Sequence, residues 1–291
     1  MLLLWLLLLP SCSLFHTKDI AGMLDGSSPE VDVRFEQSME WNERHGYARI
    51  AVPDNYRFYV ASDSHIDSAT TYLEQFVSDY RSDSLCALAF HLGDIVNTPH
   101  TFKAFQDVVR PSSSPVRAIR DTMFVEVGNH DLFFGQWTDF RSLFHTSVYW
   151  VETVSDTDPT HKLDLFICLD SGEGSLGQKQ MKWLAQLLEE KSKDDYRHIV
   201  VCTHTNLFCK DIGQGLSSNF AEEESAAMMA LLTRYGVSLC LTGHGHYRNI
   251  THHGGVEYIV VDALQEKAAE AAYLVGSAGI QLTCRFVELS E

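Results

Sequence analysis

The sequence predicts an α/β domain in which two sheets lie face to face with helices outside, and three observations carry that expectation. A strand–helix–strand rhythm begins at about Ala48, the final third changes to short strands, and neither linker nor repeat divides the chain after that point. Apolar runs that read as strands are Arg57–Ser62, Cys86–Leu92, Thr122–Val127, Leu163–Leu169, His198–Thr203 and Val237–Thr242. Helical periodicity fills intervals at Thr70–Arg81, Thr101–Arg110, Gln178–Lys191 and Ala221–Arg234. Short strands then follow at Val256–Asp262, Ala272–Val275 and Gln281–Glu288. The domain is expected to occupy residues 48–291.

The N-terminus reads differently. Residues 1–11 are apolar, uncharged and too short to span a bilayer, which fits the hydrophobic region of a signal peptide. Leu9-Pro10-Ser11-Cys12 resembles the lipobox of bacterial lipoproteins, although no Lys or Arg precedes the leucines and Pro10 is unusual there. That resemblance implies lipidation of Cys12 and export to a membrane-anchored site; otherwise the protein is expected to be periplasmic or secreted. Residues Ser13 to about Arg34 mix Gly, Ser, Pro and charge without periodicity, and residues 12–47 read as a tether or extended segment.

Charge narrows the function. With 22 basic and 39 acidic residues the formal net charge is −17. A broad nucleic-acid grip needs a Lys/Arg-rich face, so nucleic acid is disfavoured as a partner. Bound cations would have to reverse the field locally for an anionic substrate to approach. None of the seven cysteines forms a CxxC pair, which removes support for a zinc knuckle or a thioredoxin-type site.

Polar residues gather where the strands end. The first leads into Asp63-Ser64-His65, and in extended backbone such i, i+2 residues point to one side. The second ends in Gly93-Asp94, the third in Gly128-Asn129-His130-Asp131. His204 follows another strand, and Gly243-His244-Gly245-His246 follows the next. Carboxyl ends of adjacent parallel strands form the usual ligand crevice of α/β sheets. Imidazole and oxygen donors together suit Mn, Fe or Zn better than Ca or Mg, and seven donors are too many for one tetrahedral ion. Two divalent metal ions sharing a carboxylate are therefore expected.

These five ordered blocks, from about Arg57 to His246, resemble those of the calcineurin-like metallophosphoesterase superfamily. The resemblance implies a four-layer α/β/β/α sandwich with two facing mixed sheets. It also implies that Asp63, His65 and His246 hold the first metal, that Asn129, His204 and His244 hold the second, and that Asp94 bridges both together with a solvent hydroxide. His130 would bind no metal and would assist the leaving group. The implied substrate is a phosphorylated small molecule or a phosphodiester. A phosphodiesterase or nuclease of the same superfamily and a catalytically silent binding module on the same fold are the alternatives.

Departures from relatives concern two positions. Asn97 stands where purple acid phosphatases place a Tyr ligand, so an Fe(III)–tyrosinate centre is not expected and Asn97 becomes a candidate substrate contact. Asp131 stands where protein Ser/Thr phosphatases have Glu after the catalytic His block, which makes it a candidate acidic partner for His130. His91 is expected to pack inside its strand, and His252-His253 to lie in a turn before Gly254-Gly255.

Overall fold

The computed structural model describes residues 26–97, 101–110, 123–191, 194–208, 219–265 and 271–289. The signal segment, Cys12 and the first part of the expected tether lie outside the described residues. Among the described residues, no helix is long and apolar enough to cross a membrane.

In chain order the elements are α1 (Val31–His45), β1 (Ala48–Val52), β2 (Tyr56–Ala61), α2 (Thr71–Ser82), β3 (Cys86–His91), α3 (Phe102–Val109) and β4 (Phe124–Val125). After a short 3-10 turn at Phe133–Gly135 come α4 (Trp137–Phe144), β5 (Tyr149–Ser155), β6 (Lys162–Leu169), α5 (Gly177–Glu190) and β7 (His198–Thr203). The chain closes with α6 (Glu222–Arg234), β8 (Leu239–Thr242), β9 (Asn249–His253), β10 (Val256–Val260), β11 (Ala271–Ala278) and β12 (Leu282–Leu289).

Two mixed sheets result. One is seven-stranded in the order β1-β5-β6-β7-β8-β10-β9; the other is five-stranded in the order β12-β11-β2-β3-β4. Three apolar cores separate four layers. Side chains alternate along each strand, so β2 sends Phe58 and Val60 to one core and Tyr59 and Ala61 to another. The central core joins the sheets, with Phe58 and Phe90 set 5.2 and 5.1 Å from the Phe166 ring of β6. Phe76 of α2, Phe105 of α3 and Phe140 of α4 fill the core over the smaller sheet. Leu184 of α5 and Met228 of α6 fill the one over the larger sheet. This is the α/β/β/α sandwich expected from sequence.

Three local expectations need correction. From Val31 the expected tether is a packed helix, α1, whose buried residues are Val31, Arg34, Phe35, Ser38 and Asn42. Their spacing is helical, but the buried face is half polar, so apolar periodicity does not reveal it. His252 and His253 end strand β9, and the turn falls on Gly254 and Gly255, both at positive φ. The expected strand Thr122–Val127 shortens to Phe124–Val125.

Candidate metal centre

The strand ends that carry the candidate donors come from both sheets. Asp63 and His65 follow β2, Asp94 follows β3, and Asn129 and His130 follow β4; these strands are parallel neighbours in the smaller sheet. His204 follows β7, and His244 and His246 follow β8, parallel neighbours in the larger sheet. The crevice therefore lies between two sheets, not along one row of strands.

The backbone differs from expectation as well. Asp63 (φ 53°), His65 (41°), Asp94 (52°), His244 (64°) and His246 (51°) are all left-handed rather than extended. Each such residue costs about 1–3 kcal/mol and persists only where its surroundings hold it. Here the loops hold one another: the Asp63 amide donates to Gly93 O at 3.0 Å, and the His65 amide to Asp94 O at 3.0 Å. The loops after β3 and β4 also touch closely. A Cβ on Gly128 would lie 2.2 Å from both the amide nitrogen and Oδ1 of Asp94.

The side chains converge. His65 Nε2 is 2.9 Å from His246 Nε2, and His204 Nε2 is 3.1 Å from Asn129 Oδ1 and 3.2 Å from His244 Nδ1. Asp94 Oδ2 stands between the two groups, 3.6 Å from His65 Nε2 and 3.4 Å from His204 Nε2. Asp63 Oδ1 is 3.3 Å from His246 Nε2. Donor atoms of Asp63, His65 and His246 lie within 4.8 Å of one another, as do those of Asp94, His204 and His244, and those of His65, Asp94 and His130.

Fixed contacts at the back of Asp63, Asp94 and His204 aim these donors inward. Asp63 Oδ2 accepts from the Ser62 hydroxyl and, at 2.9 Å, from the His244 amide, which leaves Oδ1 facing His246 Nε2 in the pocket. Asp94 Oδ1 accepts from the His130 amide at 2.8 Å, which leaves Oδ2 for the pocket. His204 Nδ1 donates to Leu92 O at 2.8 Å, so Nε2 is its free face. His244 Nε2 is buried and without a hydrogen-bond partner among the described residues.

Electrostatics make the same point. Burial pushes the Asp63 and Asp94 carboxyls up, but neighbouring imidazoles outweigh it: His246 and His204 for Asp63, His204 and His130 for Asp94. Both carboxyls end below their ordinary range. Burial lowers His204, yet Asp94 and Asp63 carry it up to about 9; against the same penalty, Asp63 raises His246. Burial leads in lowering His65 well below its usual value and His244 to about 4. The two carboxylates thus favour protons on His204 and His246, the positive charge that a buried anionic pair demands. A set of carboxylate, imidazole and amide donors with facing lone pairs fits divalent cations in place of those protons.

The remaining predicted residues fall as follows. Asp131 is not placed as an acid for His130. Its Oδ1 accepts from the amides of Ile95 (2.9 Å) and Val96 (3.2 Å), and its Oδ2 from that of Gly128 (3.0 Å). It ties the Asp94 loop to the Asn129 loop, and burial followed by Asp94 pushes its carboxyl up to about 8. His130 packs edge-on to His65, ring centroids 4.5 Å apart, and its Nδ1 is buried without a partner. Asn97 donates its side-chain amide to Asp67, at 3.3 and 3.2 Å from the two carboxylate oxygens. His91 packs inside β3 as expected, Nε2 3.0 Å from Ser64 Oγ. Sequence reading missed Ser62 and the Leu92 carbonyl. The hydroxyl next to Asp63 was a visible signal, whereas a backbone carbonyl leaves none.

A family model described as calcineurin-like phosphoesterase matches residues 56–248. No curated protein matches the chain. Among solved structures, the fold is similar to purple acid phosphatase PPD1 from yellow lupin (Lupinus luteus) seeds, at 13% identity and a TM-score of 0.60. That match covers 81% of this chain and 52% of the lupin chain, about half its length. It is also similar to GAP50, the anchor in the inner membrane complex of Plasmodium, at 14% identity and a TM-score of 0.54, covering 80% of this chain and 84% of that one. At such identities the likeness speaks to the fold alone.

Proposed function

The chain belongs to the calcineurin-like phosphoesterase family, and on that premise we propose that it hydrolyses a phosphate ester with two divalent metal ions, Mn, Fe or Zn. The observation that carries this reading is the pair of donor clusters on either side of Asp94, with His244 Nε2 buried and without a hydrogen-bond partner among the described residues. Asp63, His65 and His246 would hold one ion, and Asn129, His204 and His244 the other, with Asp94 shared. When bound, the ions would lower the pKa of a water and neutralise phosphate oxygens for in-line attack.

The chain's own groups supply the rest. The Asp94 Oδ1 bond to the His130 amide sets the His130 ring beside the pocket. An imidazole there can hydrogen-bond a phosphoryl oxygen or pass a proton to the leaving oxygen. Asp131 acts one step back, by keeping the two loops in register. Asn97 is a substrate contact in this reading, its amide oriented by Asp67. Small phosphomonoesters and phosphodiesters are the substrate class. The formal charge of −17 leaves nucleic acid disfavoured.

Metal-stripped and Mn-reconstituted protein should differ in turnover of phosphomonoester and phosphodiester reporters. Absence of metal-dependent turnover on every reporter removes the enzyme reading. A silent binding module is the alternative, since the structural neighbour GAP50 is an anchor. The complete donor set speaks for catalysis, and elemental analysis separates the two. Export and lipidation at Cys12 belong to the same proposal; mass spectrometry of the mature N-terminus should find acyl mass on that residue, and an unmodified Cys12 refutes it.

A further inference from the structure

Outside the donor pocket the largest fully buried side chain is Arg34 of α1. Its guanidinium grips Asp170 with two bonds, Nε to Oδ2 at 2.8 Å and Nη2 to Oδ1 at 2.9 Å. Nη1 donates to Pro29 O at 2.6 Å and lies 3.1 Å from Glu173 Oε2. Asp170 is the first residue beyond β6, and Ser147 Oγ donates to it at 3.0 Å. Gln180 of α5 clasps the same residue by its backbone: the Asp170 amide donates to Oε1 at 2.9 Å, and Nε2 donates to Asp170 O at 2.7 Å. Two helices thus fix one turn, α1 by its side chain and α5 by its main chain.

That turn touches the pocket at two points. Ser171 Oγ accepts from the Thr203 hydroxyl at 2.6 Å and from the Thr205 amide at 2.8 Å, and Ser171 O accepts from the Thr205 hydroxyl at 2.6 Å. Both neighbours of His204 are therefore tied to it. Gly172 abuts the loop that carries Asn129 and His130; a Cβ there would come 3.0 Å from Gly128 O and 2.9 Å from Leu132 Cδ1. The turn backs His204 and Asn129 together. Asp63 in the other cluster is fastened elsewhere, by Ser62 and the His244 amide.

We propose that Arg34 is a positioning residue for His204 and Asn129, the ligands of one metal only, so that helix α1 is part of the metal centre's support. The proposal rests on the two-metal reading of the pocket. Its signature is asymmetry, because losing the Arg34–Asp170 grip loosens one cluster and leaves that of Asp63, His65 and His246 in place.

The test is calorimetric titration of Mn²⁺ into metal-stripped full-length chain. His204→Ala and His246→Ala reference variants identify which binding step belongs to which cluster. Arg34→Met strands a buried carboxylate and can unfold the chain, so the working variant is Arg34→Met with Asp170→Asn, which removes both charges. In that folded double variant, the step lost in His204→Ala should weaken roughly 10- to 100-fold, the range seen when groups behind metal ligands are removed. The step lost in His246→Ala should not change. Arg34→Lys keeps the charge but not the planar fork and should fall between. Equal weakening of both steps, or none, in either Arg34→Lys or the double variant overturns the proposal. Wild-type chain that takes up no Mn²⁺ overturns the functional reading itself, and the proposal with it.

Discussion

Two buried polar clusters lie within one turn of each other in this fold, and they are finished differently. Around Arg34 the guanidinium meets Asp170, Glu173 and Pro29 O, while Asp170 is further met by Ser147 and Gln180. Neither Arg34 nor Asp170 has a left-handed backbone, and neither has an unpartnered buried side-chain atom. In the donor pocket, by contrast, five residues are left-handed, and among the described residues His130 Nδ1 and His244 Nε2 have no hydrogen-bond partner. Buried charge that closes on itself is a structural joint. Buried donors that crowd one another and leave atoms over are a set that a divalent cation would satisfy.

The contrast breaks first at Asp94, which borders both donor groups. Asp94→Asn should give the largest loss of turnover of any single change, with lower metal content by elemental analysis. Turnover near that of wild type would return Asp94 to a structural role. Next comes His130→Ala, which should lower kcat roughly 10²–10⁴-fold, the usual worth of a positioned proton donor, with metal content unchanged. Loss of an ion in that variant would move His130 into the ligand set, where its grouping with His65 and Asp94 would accommodate it.

On the structural side, Arg34→Met alone should destabilise the fold by about 3–5 kcal/mol in denaturant melts, because it leaves Asp170 charged and alone. Replacing Asp170 with Leu in the same chain should recover much of that loss. A single variant as stable as wild type would show the clamp to be dispensable.

The smallest expected effect sharpens the comparison with a third kind of site. Glu126 is fully buried, and burial raises its carboxyl well above the ordinary value. The folded chain keeps a proton that the unfolded chain releases. Its contribution is full below the unfolded carboxyl pKa of about 4.3 and is lost as pH rises from there toward the raised folded value. The slope is at most about 1.4 kcal/mol per pH unit for one group. Glu126→Gln should flatten the decline of melting temperature above pH 5; a parallel decline in both proteins would place the proton elsewhere.

How legible this was in the sequence depends on distance along the chain. Asp63, Asp94, Asn129, His204 and His246 could be found because each sits just past a run of apolar residues, and such runs announce themselves locally. The left-handed backbone that turns Asp63 and His65 inward could not, since it is imposed by bonds to Gly93 and Asp94 in another loop. The surroundings of Asp131 are hidden for a similar reason. Its neighbour in sequence is His130, but its carboxylate is satisfied by the amides of Ile95, Val96 and Gly128. Arg34 and Asp170 are 136 residues apart, and α1 buries Ser38 and Asn42 along with Phe35, so neither the pair nor the helix leaves an apolar period to read.

Crystals of the metal-stripped protein soaked in Mn²⁺ and measured at the manganese absorption edge test the central claim most directly. Two anomalous peaks about 3.5–4 Å apart, one on each side of Asp94, are the expected result. An anomalous map with no peak among Asp63, Asp94, His204 and His246 would contradict it.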